Sequence, residues 1–372
     1  ENGKVLWQGG DMWGVDDGWG YRPGRIYTDG LEERIGYIAR YHYEFWMWVY
    51  SKVGTFADAY IYTGDIKYGR AGAVLLDRIA DIWPSFDMYY FRNMFLNTHG
   101  GSGYGAAVGR INDSYIARGL LQSTDKLYPM VEDEELIRIL SEDAEKSGLE
   151  NDKKSSESVW RNWEEGVVLA SYKMCTDGRI NGNFGQPQGV AGLAAIVVGK
   201  QPETNDILNW IYATSTGNGK TVITGGNLNA TLFNRVDRDG MGDEASPRYN
   251  TSWLSNLSTF ADATAMYTGE GDYQPYNIPK FIKMYTPQID ILIQNSKHPN
   301  VGDAGSVATV TLNGATAVWL QAFASTDNEE YKKKIANYIY TVNGNKTTGY
   351  KYDIFTKDPE SAEEDILKYV DT

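Results

Sequence analysis

The sequence predicts a mainly α-helical fold built from stacked helical hairpins, and three observations carry that prediction. Apolar and aromatic residues recur at three- and four-residue spacing through Ile35, Ile38, Tyr41, Phe45, Trp48 and Val49, again from Ala71 to Trp83, and again from Ile116 to Leu127. Strand signals are sparse: Thr221–Thr224 and Val307–Leu312 are β-prone, yet both are short and bounded by Gly or Asn. Finally, a motif repeats. Ala57-Asp58-Ala59 followed by Thr63-Gly64-Asp65 and Tyr68 is echoed by Ala261-Asp262-Ala263 with Thr268-Gly269-Glu270 and Tyr273, and more weakly by Ala322–Ala324 with Thr326-Asp327 and Tyr331. In each copy small residues end a helix face, a turn follows, and an acidic residue is expected to start the next helix. Such hairpins cannot each bury an apolar face alone and must stack, either as an open solenoid or as a closed ring. Long Gly-rich loops (97–109, 177–189 and 236–250) favour a compact ring whose loops converge on one face.

Taken in chain order, residues 1–30 are rich in Gly, Trp and Asp and read as an irregular aromatic segment; residues 31–372 form the helical domain. The stretch from Ser141 to Ser158 is charged and polar, which predicts a solvated helix end and loop. Cys175, the sole cysteine, lies in an apolar stretch and reads as a buried structural thiol. No charged start followed by a long apolar segment opens the chain, so it is expected to be either cytoplasmic or a processed form.

Composition excludes some functions. With 35 Lys and Arg against 49 Asp and Glu the formal net charge is −14, and no basic run exceeds Lys332-Lys333-Lys334, which argues against nucleic acid as a partner. The longest nearly apolar run, Gly189–Gly199, is too short for a membrane span, which needs about 20 residues. Three histidines (His42, His99, His298) make a zinc site improbable. Aromatic residues make up 13% of the chain, which suits either a large core or the stacking of sugar rings.

Four stretches have the chemistry of a site. In Arg179-Ile180-Asn181-Gly182-Asn183-Phe184-Gly185-Gln186-Pro187-Gln188-Gly189 a turn-rich loop leads into an apolar helix, whose first amides and dipole favour a carboxylate; the alternative is a plain connector. In Asp237–Asn250 the acidic spacing suggests a calcium loop, but Arg235 stands where an oxygen ligand is needed, so a structural calcium ion is only weakly supported and no cofactor is expected to be required. Arg248 beside Tyr249 is expected to stabilise the phenolate and to fit the tyrosine for proton transfer; the alternative is a buried structural tyrosine. Asn300–Gly305 is a Gly-Asp loop, and Gly109–Ser114 puts Arg110 and Asn112 at a helix start.

The order of these pieces resembles the N-terminal toroid of the heparinase II/III-like and alginate-lyase-like polysaccharide lyases over roughly residues 31–370, most specifically at Gly182–Gln188 and Glu244–Asn250. The resemblance implies an incomplete (α/α) toroid, usually followed by a C-terminal β-sandwich domain that this chain does not contain. It implies secretion or a periplasmic location with the leader removed, an acidic polysaccharide of alginate or glycosaminoglycan type as substrate, and cleavage by β-elimination. Tyr249 becomes the base and acid, with Arg248 lowering its pKa, and Asn183 and Gln188 neutralise the uronate carboxylate. Gln186, Arg110, Asn112, His99, Glu244 and Trp13 become substrate-binding residues. One position departs from the pattern: Pro187 stands where many relatives carry a second acid/base histidine. Either activity rests on Tyr249, with His99 as a candidate substitute, or the chain is inactive or incomplete. Two rivals follow: a toroid glycoside hydrolase with paired carboxylates, and a noncatalytic glycan-binding toroid.

Overall fold

The computed structural model describes residues 21–26, 32–87, 105–216, 223–244, 246–265, 267–294, 297–302, 316–346 and 359–371. Trp13, His99, Asp303–Gly305 and the β-prone run Val307–Leu312 lie outside the described residues. The described chain is mainly helical. A two-stranded antiparallel hairpin, β1 (Tyr21–Ile26) and β2 (Glu32–Gly36), occupies the junction where the sequence pattern turned helical, so the first helix begins at Tyr37 and not near Leu31. The chain divides into two compact units. The first comprises Glu1–Gly182, Leu193–Ile207 and Ser215–Thr224; the second comprises Asn183–Gly192, Leu208–Thr214 and Gly225–Thr372.

In the first unit α1 (Tyr37–Thr63) and α2 (Ile66–Ile82) form a hairpin against which α3 (Arg110–Leu127) packs. The turn follows the predicted logic: Gly64 takes the left-handed conformation (φ 68°), and the Asp65 side chain caps α2 by accepting from the Lys67 amide. Then come α4 (Glu134–Ser147), α5 (Ser156–Trp163), a π-helical turn over Glu164–Leu169 and α6 (Ala170–Thr176). Apolar residues fill the spaces between them, with Leu76, Trp83, Ile116, Leu120, Leu121 and Trp163 almost fully buried. Cys175 is buried, which pushes its thiol pKa upward and leaves it inert.

The polar stretch after α4 differs from expectation at one residue. Lys153 is buried, with a left-handed backbone (φ 52°), and its Nζ donates to Asp77 at 2.5 Å and to Asp81 at 2.7 Å. Asn162 Nδ2 donates to both carboxylates, and Trp163 Nε1 adds a bond to Asp77 at 3.1 Å. A charged run on the sequence thus hides a cation that neutralises two acids of α2. A second buried acid, Asp113, accepts from the amides of Ala106, Ala107, Val108 and Gly109 at 2.6–3.2 Å. Burial raises its pKa to about 6, and the four N–H groups pull in the opposite direction.

α7 (Gln186–Val198) and α8 (Glu203–Tyr212) supply residues to both units. The second unit continues with α9 (Leu228–Arg235), α10 (Pro247–Ala265), α11 (Pro279–Lys283), α12 (Pro287–Asp290), α13 (Thr316–Ser325), α14 (Glu329–Val342) and α15 (Pro359–Leu367). Here the aromatic content finds its main use. Tyr276, Phe281, Tyr285, Trp319 and Tyr338 form a run of ring contacts with successive centroids 5.5–5.9 Å apart. The repeated hairpin motif holds unevenly in this unit. After α13, Asn328 rather than Asp327 caps α14, accepting from the Tyr331 amide. After α10 no helix starts at Glu270; the chain instead makes a 3₁₀ turn over Pro275–Asn277.

Candidate active site

The sequence singled out two segments most specifically, and both belong to the second unit. In the first, Gly185 turns the chain with φ 92°, and it is packed so tightly that an added Cβ would lie 2.7 Å from Asn256 Cβ and 2.9 Å from the Leu257 amide nitrogen of α10. A side chain is excluded both by the left-handed backbone and by space. Phe184 meets Trp253 of α10 edge to face, with centroids 5.3 Å apart. Loop 183–188 is therefore clipped onto α10.

The second segment is α10 itself with the loop that leads into it. Pro247 opens the helix, suited to the first turn because it lacks an N–H. Arg248 and Tyr249 follow in that first turn, and Trp253 lies one turn after Tyr249. Arg248 is exposed and Tyr249 half-buried. Adjacent helix positions do not face each other, so Arg248 and Tyr249 project in different directions from the helix. Tyr249 is the third residue of the helix. Asn250 anchors the preceding loop: its Oδ1 accepts from the Gly242 amide at 2.7 Å, and its Nδ2 donates to the Glu244 carbonyl at 2.6 Å and to the Ser246 carbonyl at 3.2 Å. Val236 and Gly242 close the loop by an antiparallel bridge, and Arg235 pairs with Asp243 at 2.8 Å while lying 5.2 Å from the Trp253 ring.

The structure redistributes the roles of the loop amides. The sequence pattern offered backbone N–H groups for a carboxylate, but the Asn183 amide donates to Gln186 Oε1 and the Gly185 amide to Gln188 Oε1. Gln188 is buried, and its Nε2 also donates to the Gly226 carbonyl at 2.5 Å. Both ends of that amide are bonded to the chain itself, so Gln188 shapes the loop instead of presenting a group to a ligand. Asn183 is half-buried, and its side-chain amide has no hydrogen-bond partner among the described residues. Gln186 is fully buried, with Nε2 unpartnered.

Other buried polar atoms of the second unit also lack partners among the described residues, Ser246 Oγ, Trp253 Nε1, Trp319 Nε1 and Tyr338 OH among them, while the buried His298 ring meets the Gln288 backbone. Unmatched buried donors and acceptors are costly, about 1–3 kcal/mol each, and usually mark a bound water or ligand. His298 was passed over in the sequence, where a lone histidine between Lys297 and Pro299 gives no pattern. Burial lowers its pKa and keeps the ring neutral, against a weaker opposing pull from the Gln288 backbone. Gln288 in turn approaches Thr251 of α10 at 3.4 Å. Asn250 was likewise seen only as the last letter of a motif.

Of the remaining predicted site residues, Arg110 and Asn112 belong to the first unit and Glu244 to the second, while Trp13 and His99 lie outside the described residues. Arg110 is the first residue of α3, and Asn112 is half-buried two positions later. Glu244 is half-buried in the loop before α10. Arg179, read as a local cation, is engaged by Asp177 at 2.8 Å and by the carbonyls of Pro84 and Phe86 at 3.0 and 2.7 Å. Among the described residues, no group of three or more His, Cys, Asp or Glu is arranged to hold a metal ion, and no helix is long and apolar enough to cross a membrane. No model of a known protein family matches the chain, and no curated protein matches it in sequence.

Proposed function

We propose that this chain is the helical part of a polysaccharide lyase, an incomplete (α/α) toroid that cleaves uronic-acid polymers by β-elimination. The observation that carries the reading is the clipping of loop 183–188 onto α10: Gly185 and Phe184 pack on the helix that bears Tyr249, and half-buried Asn183 belongs to that same loop.

In this reading the Asn183 amide donates to the uronate carboxylate, with buried Gln186 bracing the Asn183 backbone behind it, making the C5 proton more acidic by stabilising the negative charge that develops there, as an oxyanion hole does. The Tyr249 phenolate, favoured by Arg248, takes that proton. The electron pair of the C5–H bond forms the C4–C5 double bond, the C4–O4 bond breaks, and the departing oxygen takes the proton back from Tyr249. A proline at position 187 then requires the tyrosine to serve as both base and acid. The overall charge of −14 repels a polyanion at long range, but at about 0.15 M salt charges beyond roughly 8 Å are largely screened. Exposed Arg248, which has no ion-pair partner among the described residues, sets the local field.

The test is a screen of alginate, heparin-type and chondroitin-type polymers for new ultraviolet absorbance, which elimination creates and hydrolysis does not. Absorbance with the native chain and none with Tyr249→Phe supports the reading. Reducing ends released without absorbance would identify a hydrolase, and binding without any cleavage would identify a glycan-binding module.

A further inference from the structure

Phe233 on α9 is the most exposed of the large apolar residues described, at 80% of its full exposure, while Leu228 and Leu232 of the same helix face the core. A single exposed ring is ordinary on a protein surface. This one is framed by cations. Lys280 of α11 sits with Nζ 5.9 Å from the ring centroid and donates to the Phe233 carbonyl at 3.2 Å, so the ammonium is fixed beside the ring. Lys283, one turn further along α11, donates to the Arg238 carbonyl at 3.2 Å, and Arg238 is itself exposed. None of Lys280, Lys283 and Arg238 makes an ion pair among the described residues, although acids outnumber bases in the chain. The nearby acids are partly accounted for: Asp243 is paired with Arg235, and Asp239 accepts from the Met241 amide, leaving Asp237 exposed.

We infer that Phe233, Lys280 and Lys283 form a second glycan-binding subsite, in which the ring stacks on the apolar face of a sugar and the lysines meet carboxylates or sulfates of an acidic oligosaccharide. It rests on the uronate-polymer reading above. Two features favour this ligand over a packing partner. Stacking uses the exposed ring face, and unpaired cations held at fixed points beside it complement a chain with one negative charge per sugar. The ledge is also tied to the candidate active site: α9 ends at Arg235, whose guanidinium lies over Trp253 of α10, and Asn250 holds the loop that follows α9.

The experiment titrates the full chain, made catalytically silent by Tyr249→Phe, with size-defined oligosaccharides of alginate and of heparin by calorimetry, and repeats this with Phe233→Ala, Phe233→Trp and the pair Lys280→Gln/Lys283→Gln. The inference expects Phe233→Ala to weaken binding by about tenfold, with Phe233→Trp restoring it, because a ring face carries the contact. It expects the lysine pair to weaken binding and flatten its salt dependence. In the active chain, Phe233→Ala raises KM and leaves kcat within about twofold, since the ring touches substrate away from the reacting bond. Unchanged affinity in Phe233→Ala, or a lowered melting temperature that marks the ring as a packing surface, overturns the inference while leaving the lyase reading intact. Ring-dependent binding with no turnover in the native chain keeps the subsite and removes the lyase; no binding of either oligosaccharide removes the subsite.

Discussion

Two polar regions of this protein, one in each unit, can be set side by side. Around Lys153 the buried ammonium, two carboxylates, an amide and an indole N–H are joined by short bonds that lie wholly within the protein. Around α10, Gln186 Nε2, Ser246 Oγ and Trp253 Nε1 are just as buried, yet they find no partner among the described residues. An unmatched buried polar group costs stability, so the first arrangement is complete within the protein, whereas the second keeps open donors among the described residues. The difference separates a structural cluster from a candidate site even though both are rich in polar residues.

The largest expected effect tests the second region. Tyr249→Phe should lower kcat on the cleaved polymer by about 10²–10⁴-fold, the usual contribution of a positioned proton-transfer group, with an unchanged melting temperature. A loss of stability in place of activity would move Tyr249 into the structural class. Next, Lys153→Met tests the first region: removing the buried ammonium leaves Asp77 without its ion partner while Asp81 keeps Arg78, and should cost about 3–5 kcal/mol in a denaturant titration. A cost near zero would mean that the network does not hold the first unit together.

A smaller effect is expected at the clip between loop and helix. Gly185→Ala places a Cβ against Asn256 in a left-handed backbone and should cost about 1–3 kcal/mol, with a raised KM if Asn183 is displaced. Equal stability and kinetics in that variant would detach the loop from the site. The smallest effect is a pH slope. Burial lowers the folded-state pKa of His298 below its ordinary value of 6.5, so the unfolded chain binds the proton more readily, and stability is full above about pH 6.5 and falls as pH drops below it. The slope from this residue is at most about 1.4 kcal/mol per pH unit. His298→Gln should remove that slope between pH 5 and 7 when unfolding midpoints are compared with those of the native chain.

Much of this was legible in the residues. The three- and four-residue periods located α2 and the body of α3, and Thr63-Gly64-Asp65 predicted a turn and cap that the backbone adopts. The same pattern failed at Thr268-Gly269-Glu270, because the prolines at 275 and 279 leave only short helical pieces there and local turn chemistry was overridden. Asn183 and Tyr249 were visible as members of two unusual loops. That Gln188 bonds to the Gly226 carbonyl, that Arg179 reaches the Pro84 and Phe86 carbonyls, and that Lys153 is buried against Asp77 and Asp81 could not be read from neighbours in sequence, because each depends on a group that the fold brings near.

By itself, then, the sequence determined the helical period, the capping turns, the absence of a long apolar span and the residue types available for chemistry, all of which follow from local geometry and from composition. Only the tertiary structure decided which polar side chains are completed inside the protein and which are left open, because a hydrogen bond depends on distances of a few ångströms between groups that are 30 or more residues apart, as Gln188 and Gly226 are.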